Sequence, residues 1–505
     1  MNGWRLPMLL MLAAQLALDG CATRPINAPV AEVSPTKGYK FQTRRQYFKD
    51  SENLVILAFS GGGTRAAAFS YGVLEVLRRT EIAGPTGTIR LIDDVDVITG
   101  VSGGSFTALA YGLYGDKLFG EYEKRFLKRN VQDELISRVL NPTNWGALAS
   151  TGWGRSELAA QVYDEILFGG ATFADLERGN RPLIAVIATD LSTGSRFVFE
   201  QNFFDVLCSD LGTVPLSRAA AASSAVPVVL SPVTFNNYGG TCNHTLPEWV
   251  HQFEDSSATP RPAARASKRL KELQAYDDSA HRPYIHLVDG GLSDNLGLRG
   301  VLEIIEAFEA LHLAGQPTPL DHVQRIIVFM VNSLSSPKTH WDESEDAPGP
   351  IKVLIKATGV PIDRNSSEAV ELLRDTVARW QTLRRIRDSA AFSAGKDPAL
   401  KEVENAPDIG LYAIDVSFNG IKDAAEFEYL NDLPTTFELS EEAVDRLRAA
   451  AGAVVLNSVE FRRLLKDAGA RVVGEPTAAT GQSAAPTRSV DGRSPVPGQS
   501  VPLSE

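Results

Sequence analysis

The sequence predicts an α/β fold: a central, mostly parallel β-sheet with helices on its faces. Three stretches carry the prediction. NLVILAF (53–59) and VDVIT (95–99) are short, continuous apolar runs, the pattern of strands buried on both faces, and each leads through a glycine-rich turn into helical periodicity. PYIHLVD (283–289) is a third such run, ending in Asp289-Gly290-Gly291.

Taken in order, residues 1–20 read as a signal peptide. Arg5 supplies the positive region, and 6–18 an apolar core too short for a comfortable membrane span. Leu18-Asp19-Gly20-Cys21 follows and resembles a bacterial lipobox, with Asp19 in place of the usual small residue. Cys21 is therefore the expected lipidation site. The expected location is the bacterial cell envelope, on a membrane facing the periplasm or exterior. Residues 21–50 are rich in Pro, Thr, Lys and Arg without periodicity, and read as a tether between lipid and domain. No later stretch has the length of apolar chain that a membrane-spanning helix needs.

The domain is expected over 51–470. After its first strand comes Ser60-Gly61-Gly62-Gly63-Thr64-Arg65, then a helix with Phe69, Val73, Val76 and Leu77 on one face. Glycines at a helix N-terminus turn several backbone N–H groups toward one point, which makes an anion site. Gly61-x-Gly63-x-x-Ala66 also fits a dinucleotide fingerprint. That reading needs an acidic residue at the end of the next strand. The next strand ends instead in Gly100-Val101-Ser102-Gly103-Gly104, the GxSxG pattern of a nucleophile elbow. A serine on so sharp a turn sits in a strained conformation, and side chains on Gly100 or Gly104 would collide with neighbouring chain. An oxyanion hole made by the Gly61, Gly62 and Gly63 amides and facing Ser102 accounts for both glycine turns. Arg65, beside the loop, is read as orienting it, as meeting a phosphate, or as plain surface charge.

Residues 117–160 are helical and charged, broken by a glycine-rich stretch with Trp145 and Trp153. These read either as half-buried core tryptophans or as a lip that touches lipid. Residues 181–200 read as strand, turn, strand. Residues 214–235 read as a small-residue helix stopped by Pro227, then a strand. Residues 241–282 are polar and read as a surface insertion. Cys208 and Cys242 could pair, given export, or remain as buried thiols. The aspartate at 289 ends a buried strand beside two glycines, so it is placed to approach another group closely, with Gly290 supporting the turn. Helices and strands continue to about 470, and 471–505 read as a disordered tail. The net charge of −12 leaves no basic surplus for nucleic acid.

With these motifs in order, the chain resembles the patatin-like phospholipase family over roughly 53–298. The oxyanion loop is similar to 61–65, the elbow to 100–104 and the aspartate motif to 289–291, with ATDLSTG (188–194) and ASSAVP (222–227) as secondary likenesses. Ser60 and Ala66 depart from the common Asp and Gly. The resemblance implies a three-layer fold and a lipid acyl hydrolase of the phospholipase A or lysophospholipase type. It also implies a Ser102–Asp289 dyad and no histidine base. No cofactor and no metal are expected. The substrate would be membrane phospholipid, met at a membrane surface through the lipid anchor. The residues agree with a dyad. His312 falls in a helix and His340 in a polar loop, and His286 points to the opposite strand face from Asp289. An esterase or lipase for neutral esters, and an inert lipid-anchored scaffold, are the alternatives.

Overall fold

The computed structural model describes residues 22–44, 52–84, 87–150, 153–179, 181–227, 229–245, 264–313, 318, 322–337, 339–393 and 398–474. The expected signal peptide and Cys21 lie outside them, as do residues 475–505.

The α/β class holds. Eight strands form the main sheet: β1 (Asn53–Phe59), β2 (Val95–Val101), β3 (Leu183–Asp190), β4 (Arg196–Phe199), β5 (Val233–Asn236), β6 (Tyr284–Asp289), β7 (Arg325–Asn332) and β8 (Gly410–Ser417). Their order is β8-β7-β1-β2-β3-β6-β5, with β4 also paired to β3. The five strands from β8 to β3 are mutually parallel, whereas β4 and β6 run antiparallel to β3, and β5 antiparallel to β6.

Alternation along β1 explains the layers. Val55, Leu57 and Phe59 feed one core, and Leu54, Ile56 and Ala58 feed a second on the opposite face. The first core is covered by α1 (Gly63–Arg78), α2 (Gly103–Tyr114) and a C-terminal helix, Glu441–Asn457. The second is covered by Arg299–Leu313 and the long helix Pro350–Arg387, which contributes Leu373 and Trp380. Apolar residues on every position of a strand are what burial between two helical layers demands. At the start of β2, Asp96 is the extra residue of a register shift, and its carboxylate accepts the Val55 N–H at 2.7 Å. Asp96 therefore serves the sheet.

Two boundary expectations are corrected. Residues 22–44 are not a loose tether. Pro29 bridges to Ser209, Asn27 donates to Ser209 Oγ (2.8 Å), and the Ile184 N–H donates to the buried Tyr39 hydroxyl (2.7 Å). Lys40 forms a buried ion pair with Asp205 at 2.9 Å. This strap is held by individually satisfied polar groups, which leave no apolar period in the sequence. Lys40→Ala is expected to destabilise the protein by about 3–5 kcal/mol, because it leaves Asp205 charged and buried without its cation. A urea denaturation series measures this; an unchanged midpoint would mean the strap contributes nothing to the fold. The second correction is at the C-terminal boundary: Arg471–Val472 still pair antiparallel with Thr80–Glu81.

The polar segment 241–282 presents the helix Ala264–Gln274 against Arg299–Leu313. Its flanks are integral to the body. Cys242 is disulfide-bonded to Cys208, and the buried Tyr276 donates its hydroxyl proton to Asp190 at 2.9 Å. Among the described residues no helix is long and apolar enough to cross a membrane.

Candidate active site

The pairing of β3 brings the serine and aspartate together. Val101 pairs with Ile187, and Asp289 with the next residue, Ala188. β4 pairs with both Ile187 and Ala188. A strand has two edges, so β2 and β6 must share the other one, their C-terminal ends meeting head to head. Ser102 follows β2 directly, and Asp289 is the last residue of β6.

Ser102 has φ 46°, a left-handed value that non-glycine residues rarely adopt, and it precedes the first turn of α2. Its N–H donates to Ser223 Oγ at 2.8 Å, and Ser223 Oγ in turn donates to the Ile187 carbonyl at 2.6 Å. The neighbouring glycines are a steric requirement. A Cβ on Gly100 would stand 2.7 Å from Ser105 Cα, and one on Gly104 2.6 Å from the Ser60 carbonyl oxygen. The Ser102 side chain is one of the groups that act on the Asp289 carboxylate. That carboxylate also accepts the Gly291 N–H at 2.7 Å. Burial raises the Asp289 pKa to about 6, with the Gly291 and Ser102 hydrogen bonds pulling the other way. No histidine is among the groups acting on it. His286 is exposed and bonds Thr234 Oγ1.

The glycine loop lies against this pair: a Cβ on Gly61 would stand 3.3 Å from Ser102 Cβ. Gly62 (φ 137°) and Gly63 (φ 60°) turn the chain into α1. Their N–H groups have no protein partner among the described residues. The Gly61 amide corrects the expectation of three donors. It donates to the Asn295 carbonyl at 3.0 Å, so it ties the loop to the turn after β6 and is withdrawn from any oxyanion. Gly62 and Gly63 remain as the available pair.

A family model for patatin-like phospholipases matches residues 57–302. Residues 57–302 are a patatin-like phospholipase domain. Ser102, Asp289 and the glycine loop all fall inside it. The chain is 30% identical over 191 residues to the cGAMP-activated phospholipase of Escherichia coli (strain TW11681), a match covering 36% of this chain and 49% of that protein. The chain thus spans about half the length of this curated relative. Human GIVD cytosolic phospholipase A2 is similar in structure at 15% identity and TM-score 0.40, over 86% of this chain and 66% of that one. The type III effector protein ExoU follows at 13% identity and TM-score 0.19, over 81% of this chain and 79% of that one. Likenesses this remote carry no argument about activity.

Within the patatin-like domain, Arg65 is a brace. It is buried and donates to the Ser333 carbonyl (2.8 Å), the Leu433 carbonyl (2.6 Å) and Thr435 Oγ1 (3.1 Å). Burial lowers its pKa to about 10. Of the roles open to it, orienting the loop is the one its contacts fit. Gly290 is as sterically required as the elbow glycines, since a Cβ there would fall on the Ile187 carbonyl oxygen.

Three residues escaped the sequence reading. Ser223 anchors the Ser102 amide, and its own carbonyl accepts the Gly290 N–H at 3.1 Å, so one residue holds both catalytic candidates in register. The only local signal was its place in ASSAVP. Gly103 lets the elbow touch the oxyanion loop, because a Cβ there would fall on the Gly63 carbonyl oxygen. It stands at a variable position of the GxSxG pattern, between Ser102 and Gly104. Asn295 fixes Gly61; nothing local distinguished it from a turn asparagine.

Proposed function

We propose that this chain hydrolyses carboxylic ester bonds of membrane phospholipids or lysophospholipids, as a serine acyl hydrolase of the phospholipase A or lysophospholipase type. The observation that carries the reading is the strained Ser102 brought by strand pairing to the end of β6, where the buried Asp289 has its pKa raised to about 6. Asp289 takes the Ser102 proton as Ser102 Oγ attacks the ester carbonyl carbon. The oxygen of the tetrahedral intermediate receives the Gly62 and Gly63 N–H groups. Asp289 returns the proton to the leaving alkoxide as the ester C–O bond breaks. Water then attacks the acyl-enzyme with Asp289 again acting as base, and as the bond between the acyl carbon and Ser102 Oγ breaks Asp289 returns the proton to Ser102 and the fatty acid leaves. A free carboxylate with pKa about 3.9 is a poor base near neutrality, and desolvation strengthens it.

The same reading assigns the chain to the cell envelope with its Cys21 lipidated and no nucleic-acid partner. The Cys208–Cys242 disulfide supports an oxidising compartment.

A serine-directed fluorophosphonate tests the chemistry without assuming a substrate. Its rate of labelling at Ser102 is expected to fall as pH drops, with a midpoint near 6, because the base must be ionised. Mass-spectrometric labelling at pH 4.5 to 8.5 measures it. No labelling of folded protein at any pH would make the inert-scaffold alternative the better one.

A further inference from the structure

Residues 22–44 are packed on the body from their first described residue onward. The chain becomes part of the rigid body within a few residues of Cys21. The Ala22 carbonyl accepts Ser150 Oγ at 2.9 Å, and Ser150 closes the one-turn helix that begins at Trp145. Arg24 then donates to the Thr234 carbonyl at 3.1 Å and to the Asn236 side chain, and Asn27 is buried against Ser209 and Asn236. Ala22 is thus held at the turn that ends the helix begun by Trp145, and consecutive Cα atoms are only about 3.8 Å apart.

Large apolar side chains are exposed on the segments joined by these bonds. Leu140 is 65% exposed, Trp145 56% and Ile26 65%. The chain from Gly154 to Ser156 abuts Ser231, which accepts the Ser156 N–H at 3.1 Å. Just before Ser231 stand the exposed Val226 and Val229, the latter 64% exposed. Val226 directly follows Ala225, whose carbonyl accepts the Asp289 N–H at 3.0 Å. Exposed apolar residues therefore stand on the segment bonded to Ala22 and on the loop that holds the Asp289 N–H. Exposed aliphatic side chains with a tryptophan suit the headgroup boundary of a bilayer.

We propose that this face, carried by Ile26, Leu140, Trp145, Val226 and Val229, docks on the phospholipid bilayer that anchors the chain. The strap then acts as a rigid bracket that turns the 225–231 loop, and with it the site, toward the substrate surface. The proposal rests on the lipid-hydrolase reading and on acylation of Cys21, and it specifies which surface meets the lipid.

The test uses the acylated mature chain on vesicles of phosphatidylethanolamine and phosphatidylglycerol carrying brominated acyl chains. Tryptophan emission is expected to be quenched in the wild type, and the quenching largely lost in Trp145→Phe. The double variant L140S/V229S is expected to hydrolyse vesicle phospholipid about tenfold more slowly, through weaker partitioning of two side chains. It should hydrolyse a short-chain soluble ester within about twofold of wild type, since neither residue belongs to the dyad or the glycine loop. Equal quenching in wild type and Trp145→Phe overturns the proposal, as does undiminished vesicle hydrolysis by L140S/V229S, or a Cys21 without acyl groups. A wild type inert toward the soluble ester counts against the hydrolase reading alone, because quenching still reports docking.

Discussion

Ser102→Ala is expected to lower phospholipid hydrolysis by about ten-thousand- to a million-fold in kcat, the scale on which nucleophile deletions in serine hydrolases fall. The reason is positional as well as chemical. Ser102 follows the last residue of β2 with a left-handed backbone, and β6 arrives from the opposite direction to end at Asp289. Nothing else nucleophilic has that geometry among the residues described. Asp289→Asn should be comparably severe, since the amide cannot take a proton, yet it keeps an oxygen for the Gly291 N–H. The two variants differ in stability. The Asp289 carboxyl titrates near 6 in the folded protein and near 3.9 when unfolded, so the fold disfavours its ionised form. Stability from this group is full below the unfolded value, declines between about 4 and 6, and stays low above. Asp289→Asn is therefore expected to gain up to about 3 kcal/mol above pH 6 and nothing below pH 4, whereas Ser102→Ala gains little at either. Kinetics on phospholipid vesicles beside melting curves at pH 4 and pH 8 would measure both. Wild-type turnover by either variant would remove the dyad; an Asp289→Asn protein no more stable at pH 8 would mean the carboxylate is solvated after all.

That the loss can be foreseen at two positions reflects where the information sits. A buried parallel strand writes itself as an unbroken apolar run, and a turn that tolerates no Cβ writes itself as glycine. NLVILAF with its glycine loop, VDVIT with its elbow and HLVD with its double glycine were therefore legible from short range. Partnership between distant segments was not. Nothing within NLVILAFSGGG says that the Gly61 amide is taken by the carbonyl of Asn295. Nothing around Arg65 says that its donors are matched by the carbonyls of Ser333 and Leu433. The strap failed for a related reason. Its attachment is a set of single polar matches, Lys40 to Asp205 and Asn27 to Ser209 among them, and such matches have no period. Composition read as loose is then compatible with a tightly held chain.

Gly103→Ala carries the second large effect, at a position that contributes no reacting atom. A Cβ on Gly103 would fall on the Gly63 carbonyl oxygen, with the Gly63 N and C each 2.7 Å away. Gly63 cannot retreat. On its far side stands the Thr436 backbone, 3.1 Å from a Gly63 Cβ at its nitrogen, and the Thr64 N–H is bonded to the Thr436 carbonyl at 2.9 Å. The oxyanion loop is thus clamped between the 436 segment and the first turn of α2. One methyl group must push either Ser102 off Asp289 or the Gly63 N–H off the oxyanion. Loss of one such donor costs about 2.7–4 kcal/mol of transition-state stabilisation, so kcat should fall about a hundred- to a thousandfold. The folded state should lose only about 1–3 kcal/mol, the ordinary cost of overpacking. Gly120→Ala is the matched control, since a Cβ there meets nothing within 4 Å. Kinetics and melting temperatures of the pair decide the matter. If Gly103→Ala keeps wild-type kcat, the elbow and the glycine loop are neighbours without being one device, and the oxyanion must be held by some other group.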